Sequence, residues 1–183
     1  VALDEAEQAG LVHVRGTRLE LRHPLVRSAV YQAAPLSKRQ AVHGALATVL
    51  DGEADADRRA WHRAAASVEA DPSVGEELEE AAERARRRSG FAAASLAFER
   101  AATLTTDEDH RARRLTSAAE NAWLAGRVER ALMLLEAARP LVSEPIQRAD
   151  IDRFLGLIEM TRGVPADACQ LLLRAATEVA PSD

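Results

Sequence analysis

Three glycines divide the second half of this sequence at nearly regular intervals. Gly126 follows Gly90 by 36 residues, and Gly163 follows Gly126 by 37 residues. Each glycine lies between two stretches in which apolar residues recur every three or four positions, the spacing that places them on one helix face. Glycine suits the end of a helix because it enters the left-handed conformation at little steric cost. The pattern predicts a series of helical hairpins, and repeats of this length are typical of a solenoid.

An alanine lies twelve residues after each of these glycines, at Ala102, Ala138 and Ala175. A small side chain at this position lets the second helix of a hairpin lie close against the first. We therefore expect the helices to pair antiparallel across each glycine and successive pairs to stack in a right-handed superhelix. The composition agrees, because the chain is rich in strong helix formers and only 3% of it is aromatic.

The N-terminal part of the chain differs from the repeats. Apolar and polar side chains alternate on both sides of a turn at residues 15–18, which indicates a β-hairpin. The residues expected to face each other across this hairpin are Val12, Val14, Leu19 and Leu21. One helix ends near Gly10 before the hairpin, and another begins at Pro24 after it. This order predicts the C-terminal part of a winged-helix module in residues 1–36 and a TPR-like helical repeat domain in residues 37–183.

The expected fold class is therefore all-α, an α-solenoid of TPR-like helical hairpins with a small β-hairpin near the N-terminus. Polar residues with capping side chains predict where its helices begin. The expected caps are Ser37, as a capping box with Gln40, then Asp57, Asp71, and either Thr106 or Asp107. In the helix that Ser37 opens, the residues expected to face inward are Val42, Ala45, Leu46, Val49 and Leu50.

Charge and composition exclude several classes of function. The formal net charge is −5, so no overall positive field draws the chain to nucleic acid or to an acidic membrane. Lys38 is the only lysine, and it lacks the glycines of a phosphate-binding loop. We expect neither direct DNA binding nor a cofactor within these residues. No apolar run approaches ~20 residues, and the single Cys169 allows no internal disulfide, so we expect a cytoplasmic protein without a membrane partner.

Catalytic and metal-binding motifs are also missing from the sequence. Its five histidines are His13, His23, His43, His62 and His110, and no two of them have the close spacing of metal ligands on one helix. The serines show no nucleophile elbow. We therefore predict no catalytic residue, no metal site and no enzyme.

Other residues leave two interpretations open. The arginines of 84–88 and 111–114 either form a phosphate-binding patch or lie on solvated helix faces, and ion pairs between positions i and i+4 suffice to explain them. Trp61 and Trp123 either line a surface for an effector or partner, or fill gaps in the core. His23 precedes a proline at a helix start, and its position alone predicts a helix cap or a surface residue.

The residues around His23 carry a resemblance to a known family. The block His23-Pro24-Leu25-Val26-Arg27-Ser28-Ala29-Val30-Tyr31, directly after the hairpin, resembles the end of the winged-helix domain of STAND-type regulatory ATPases. The stretch Gly10–Tyr31 resembles the large ATP-binding, MalT-like LuxR-family transcriptional regulators of actinobacteria. Residues 57–66 and 78–82 are similar to the helical region of these regulators, and the resemblance extends over essentially the entire chain.

The resemblance implies a cofactor and a role for one residue. In such regulators a nucleotide-binding domain precedes this region, and a LuxR-type helix-turn-helix ends the protein. In related STAND proteins a histidine of the winged-helix MHD motif contacts the β-phosphate of bound ADP. His23 matches that histidine, while Pro24 replaces the acidic residue that follows it. The resemblance thus implies ATP or ADP in the full-length parent and His23 as its β-phosphate sensor.

We therefore expect a non-catalytic sensor and protein-interaction fragment of an ATP-dependent LuxR-family transcriptional regulator. Since the chain begins at Val1 rather than at methionine, we expect it to be a piece of a longer protein. Its expected partners are an effector small molecule or a protein on the concave helical face, and its own ATPase domain. The alternative is a stand-alone TPR-like scaffold that binds a peptide or a partner helix.

Overall fold

The computed structural model describes residues 2–16 and 18–179 of the chain. The protein is mostly helical and has one small antiparallel sheet of two strands. The helices are α1 (Ala2–Gln8), α2 (Pro24–Ala33), α3 (Leu36–Val49), α4 (Ala56–Ala66), α5 (Pro72–Arg87), α6 (Phe91–Thr103), α7 (Glu108–Leu124), α8 (Val128–Ala138), α9 (Pro145–Arg162) and α10 (Pro165–Val179). The strands are β1 (Val12–Arg15) and β2 (Arg18–Leu21), and short 3-10 turns occupy Glu53–Asp55 and Arg139–Leu141.

The predicted β-hairpin is confirmed in its register. Val12 lies opposite Leu21, and Val14 lies opposite Leu19. Gly16 takes the positive φ of +61° that the turn requires, while Thr17, in the same predicted turn, lies outside the described residues. Val12 is the one buried side chain among the described strand residues, so the rest of the hairpin is open to solvent.

Consecutive helices pack side by side in pairs. Helix α3 lies against α4, α5 against α6, α7 against α8, and α9 against α10, and α6 also packs against α7. The loops within these pairs are short, so the paired helices run antiparallel. The main core cluster is drawn from α5 to α9 and consists largely of alanine and leucine. A second cluster joins α4, α5 and α6.

The residues with positive φ at the end of the first helix of each pair show that the predicted repeat length needs a correction. Gly126 and Gly163 have the expected positive φ of +72° and +82°, but Gly90 does not, since its φ is −81°. The residue before it, Ser89, takes the left-handed conformation instead, with φ +58°. Ser89, Gly126 and Gly163 are each 37 residues apart. The turn therefore repeats without the one-residue irregularity that the glycines alone suggested.

The same period of 37 residues is found in the second helix of each pair. The structurally equivalent residues are Ala64, Ala101, Ala138 and Ala175, and all four are buried. Ala102 is also buried, as expected, but the equivalent of Ala138 is Ala101. Ala138 has no exposed surface, which confirms that it lies at a helix contact.

Two ion pairs, each with one buried member, join neighbouring helix pairs. Arg114 of α7 is almost fully buried, its Nε donates to Glu79 Oε2 of α5 at 2.8 Å, and it also bonds Thr105. Gly75 makes room for this guanidinium, because a Cβ there would lie 2.6 Å from Arg114 Nη1. Asp152 of α9 is fully buried and accepts two bonds from Arg139, at 2.6 and 2.8 Å.

The predicted caps are right for two helices and wrong for two others. Asp71 accepts from the N–H groups of Ser73 and Val74, and Asp107 accepts from the N–H of His110. These capping carboxylates satisfy backbone N–H groups that the first helical turn leaves without a partner. The two residues that do not cap are Ser37, which lies inside α3 because that helix begins at Leu36, and Asp57, which lies inside α4. The Asp57 carboxylate instead accepts from Arg84 and Arg88 at 2.7 and 3.1 Å.

The prediction for the inward face of α3 is wrong. Its apolar residues Val42, Ala45, Leu46 and Val49 are exposed, and Leu50 is only half-buried. Helix α3 instead turns its small residues toward α4, where a Cβ on Gly44 would lie 4.0 Å from the Cβ of Ala66. The face of α3 that carries His43, Gly44 and Ala47 is therefore the partly covered one.

Candidate functional site

A groove of about 650 Å³ runs between α7 and α9. From α7 it is lined by Ala112, Arg113, Thr116, Ser117 and Glu120. From α9 and the segment before it, the lining residues are Val142, Gln147, Asp150, Ile151, Arg153, Phe154 and Leu157. Residues 113, 116, 117 and 120 are spaced as i, i+3, i+4 and i+7, so they share one face of α7. We call this feature the α7–α9 groove.

The floor of the α7–α9 groove is apolar. Val142 and Ile151 are buried, and Phe154 is half-buried and packs against the main core. Leu157 lies farther out and is 45% exposed. A volume within the range of 300–1,000 Å³ and an apolar floor are typical of sites that bind small molecules or short chain segments.

Polar groups without partners line the rim of the α7–α9 groove. Arg113 and Glu120 are exposed, and neither makes a hydrogen bond or an ion pair with any residue that the structure describes. The side chain of Gln147 is likewise without a hydrogen bond within the described ranges. Asp150 and Arg153, by contrast, form an exposed ion pair in which Oδ1 and Nε are 3.6 Å apart. The rim therefore carries one cation, Arg113, and one anion, Glu120, that form no ion pair with the described part of the chain.

The carboxyl group of Glu120 has a perturbed acidity. Although the residue as a whole is exposed, desolvation by the surrounding protein raises the pKa of Glu120, and the positive charge of Arg86 acts in the opposite direction. A ligand cation placed beside this carboxyl would favour its charged form.

The structure places His23 at a helix start, away from the lining of the groove. The residue is exposed, and its Nδ1 accepts a hydrogen bond from the N–H of Leu25 at 3.1 Å. This confirms the helix cap that its position alone predicts. Contact with a nucleotide phosphate stays a prediction for the full-length parent.

The two tryptophans do not line the α7–α9 groove. Trp123, on α7, is half-buried and packs against the main core, in agreement with the interpretation that it fills a gap there. Trp61, on α4, is 40% exposed. Contact of either ring with an effector or partner stays a prediction.

The first arginine cluster is held by carboxylates rather than open to phosphate. Arg84 and Arg88 share Asp57, and Arg86 bonds Glu83 at 2.8 Å. The solvated, ion-paired interpretation therefore fits Arg84, Arg86 and Arg88. It does not fit Arg114 of the second cluster, whose guanidinium is buried.

A contact between two histidines was not visible in the sequence. His43 Nδ1 of α3 and His62 Nδ1 of α4 lie 2.8 Å apart, and His43 Nε2 lies 3.1 Å from the hydroxyl of Tyr31. Arg39 stacks over the Tyr31 ring at 5.1 Å. Burial first, and then the nearby His62 and Arg39, lower the pKa of His43. The two histidines are 19 residues apart, so no helical spacing could have predicted the pair.

The α7–α9 groove was missed by sequence reasoning, yet a signal for it exists. Several lining residues are equivalent across one period of 37 residues: Arg113 with Asp150, Thr116 with Arg153, Ser117 with Phe154, and Glu120 with Leu157. The same face of two successive first helices therefore forms the two walls. A repeat aligned at 37 residues, rather than on the glycines, identifies these positions.

Comparison with known proteins assigns no family. The sequence matches no protein-family model and no curated protein sequence at a significant level. In the part of the chain that the structure describes, no group of three or more histidine, cysteine or acidic side chains is placed to hold a metal ion. Within those same residues, no helix combines the length and the apolar character needed to cross a membrane.

Proposed function

We propose that this chain is the non-catalytic sensor and protein-interaction part of an ATP-dependent LuxR-family transcriptional regulator in the cytoplasm. It binds an effector or a partner in the α7–α9 groove and relays occupancy to ATPase and DNA-binding domains outside the chain. The observation that supports a binding role is the groove itself, which has an apolar floor and charged residues on its rim. The resemblance of Gly10–Tyr31 supports the assignment to a regulator.

We further propose that the helix pairs form a TPR-like solenoid with a right-handed superhelix. The recurrence of the left-handed turn and of the buried alanine every 37 residues supports this arrangement. In a solenoid each repeat contacts its neighbours, and equivalent helices line the concave surface. Helices α7 and α9 are such equivalents, so the α7–α9 groove would lie on that surface.

The proposed relay begins at the N-terminal hairpin. His23 follows β2 and is exposed, which leaves its imidazole accessible to a nucleotide bound by an upstream domain. Residues 1–36 would then be the end of a winged helix between the ATPase domain and the repeats. ATP or ADP is the cofactor proposed for the full-length parent.

The sequence on both sides of this segment in its gene tests the proposal. A regulator of this class requires a Walker A motif upstream and a LuxR-type helix-turn-helix downstream. Absence of both would contradict the proposal and favour the alternative, a stand-alone TPR-like scaffold. The α7–α9 groove favours that alternative equally, because an apolar trough with polar rims also suits a peptide or a partner helix.

A further inference from the structure

The two free charges of the α7–α9 groove are separated by a defined distance. Arg113 and Glu120 are seven residues apart on one face of α7, which corresponds to about 10 Å along the helix axis. No described residue forms a hydrogen bond or an ion pair with either side chain, although the positive charge of Arg86 acts on Glu120. Across the groove, Asp150 and Arg153 already pair with each other at 3.6 Å. A ligand that satisfies the rim therefore needs an anion and a cation about 10 Å apart.

The surface between these charges is suited to an apolar side chain with amides on either side. Phe154 and Ile151 supply the apolar floor of the groove. Ser117 and Gln147 lie along its walls, and neither side chain donates or accepts a hydrogen bond within the part of the chain that the structure describes. A hydroxyl and a carboxamide can donate to and accept from peptide groups.

We propose that the α7–α9 groove binds a short free peptide of about three residues with an apolar central side chain. Its C-terminal carboxylate pairs with Arg113, its N-terminal ammonium pairs with Glu120, and its central side chain lies against Phe154. An extended peptide advances ~3.3 Å per residue, so three residues span ~10 Å between their charged ends. This inference rests on the proposed function, since it names the effector of the same groove.

Ligands of other classes would leave one or both of the charged rim residues without a suitable partner. A neutral sugar leaves both Arg113 and Glu120 unpaired, and burying either one without a partner is unfavourable. A nucleotide needs several donors around its phosphates, whereas the free cation on this rim is Arg113 alone among the described residues. A guanidinium binds a single carboxylate well through two parallel hydrogen bonds.

Calorimetric titration with defined peptides tests the proposal. The probes are free tripeptides with Leu, Phe or Val between two alanines, and the same peptides with an acetylated N-terminus or an amidated C-terminus. We expect the free forms to bind with a Kd below about 1 mM and each blocked form to bind about tenfold more weakly or worse. Absence of binding by all free forms, or equal binding by the blocked forms, would overturn the proposal.

Charge variants then assign the two ends of the peptide. Arg113→Glu and Glu120→Arg should each weaken binding about tenfold or more, and the double variant should restore binding because the peptide can enter in reverse. Both residues are exposed, so these changes leave the core intact. Arg111→Glu, an exposed change on α7 outside the groove, is the matched control and should bind normally. Equal loss in the control, or no rescue in the double variant, contradicts the assignment.

This test is separable from that of the proposed function. One outcome is that the gene encodes a Walker A motif and a helix-turn-helix around this segment while no tripeptide binds. In that case the proposed ligand class is wrong and the assignment to a regulator is retained. If the tripeptides bind and the gene encodes neither motif, the groove assignment holds and the regulator is wrong.

Discussion

At the scale of single residues, backbone conformation separates Ser89 from the glycines that occupy equivalent turns. Ser89 has a φ of +58°. This conformation costs a residue with a Cβ about 1–2 kcal/mol. Glycine avoids this strain but loses about 0.5–1 kcal/mol through the entropy of the unfolded chain. Ser89→Gly should therefore raise the free energy of unfolding by about 0.5–1 kcal/mol, as measured by chemical denaturation.

Gly126→Ala is the matched control for Ser89→Gly. A Cβ on Gly126 meets no atom within 4 Å, so the cost of this change comes from the backbone alone. It should lower the free energy of unfolding by about 0.5–1 kcal/mol, because the reduced entropy of the unfolded chain offsets part of the strain. A Ser89→Gly variant that is less stable than the wild type would show that the turn at 89 is not equivalent to the turn at 126.

The contact between His43 and His62 predicts a dependence of stability on pH. The pKa of His43 in the folded protein is lowered below its ordinary value of 6.5, so the unfolded chain binds a proton at a higher pH than the folded chain does. Stability should therefore fall as the pH drops below 6.5 and level off once the folded form is also protonated. Protonation of both rings also removes the acceptor of the Nδ1–Nδ1 hydrogen bond.

Urea denaturation at pH 7.5 and pH 5.5 measures this effect. In His43→Gln the loss of stability on acidification should shrink, whereas His13→Gln, a change in an exposed strand residue, should leave it unchanged. The Asp57 carboxylate does not interfere in this range, because the arginine partners hold the pKa of Asp57 below 3.8. An identical acid-dependent loss in both variants would exclude His43 as the source.

At the scale of helices, the fold was predictable where turn chemistry and small residues decide it. Gly126 and Gly163 mark helix ends correctly, and Asp71 and Asp107 mark helix starts, because their local hydrogen bonds and conformations depend on few neighbours. The covered face of α3 was not predictable from its apolar spacing, because packing against α4 covers the side of His43 and Gly44 instead. The local sequence determines where a helix begins or ends, whereas the face of α3 that is buried depends on how the neighbouring helix packs.

The predicted contact at Ala138 is testable by overpacking. Ala138 is fully buried in α8, so Ala138→Phe forces side chains and backbone to shift and should cost about 1–3 kcal/mol of stability. Ala137→Phe is the matched control, because Ala137 is exposed on the same helix. The measurement is the free energy of unfolding of both variants, and equal losses would contradict the buried alanine contact.

At the scale of the whole molecule, the candidate site follows from the repeat rather than from any single motif. Pairs such as Arg113 with Asp150 and Ser117 with Phe154 become visible only when the period is fixed at 37 residues. The glycine spacing concealed this period, because Ser89 replaces glycine at one turn. The contact between His43 and His62 had no such signal, since it depends on how α3 and α4 pack.

The proposed role of His23 predicts a gain of activity in the full-length regulator. A hydrogen bond from this histidine to the β-phosphate of ADP would stabilise the resting state by about 1.5–3 kcal/mol. His23→Ala should therefore release ADP faster and raise output from a reporter promoter. The residue is exposed in this chain, so the change should not unfold it. Unchanged ADP retention together with unchanged reporter output would show that His23 does not stabilise the ADP-bound state.

The central claim is that occupancy of the α7–α9 groove controls the nucleotide state of the parent protein. The most direct measurement is the amount of ADP that the purified full-length protein retains in the wild type, in Arg113→Glu and in Arg111→Glu, with and without the tripeptide mixture. The account predicts that the peptides change ADP retention in the wild type and in the Arg111→Glu control, and that Arg113→Glu does not respond. The same retention in all three proteins under both conditions would contradict it.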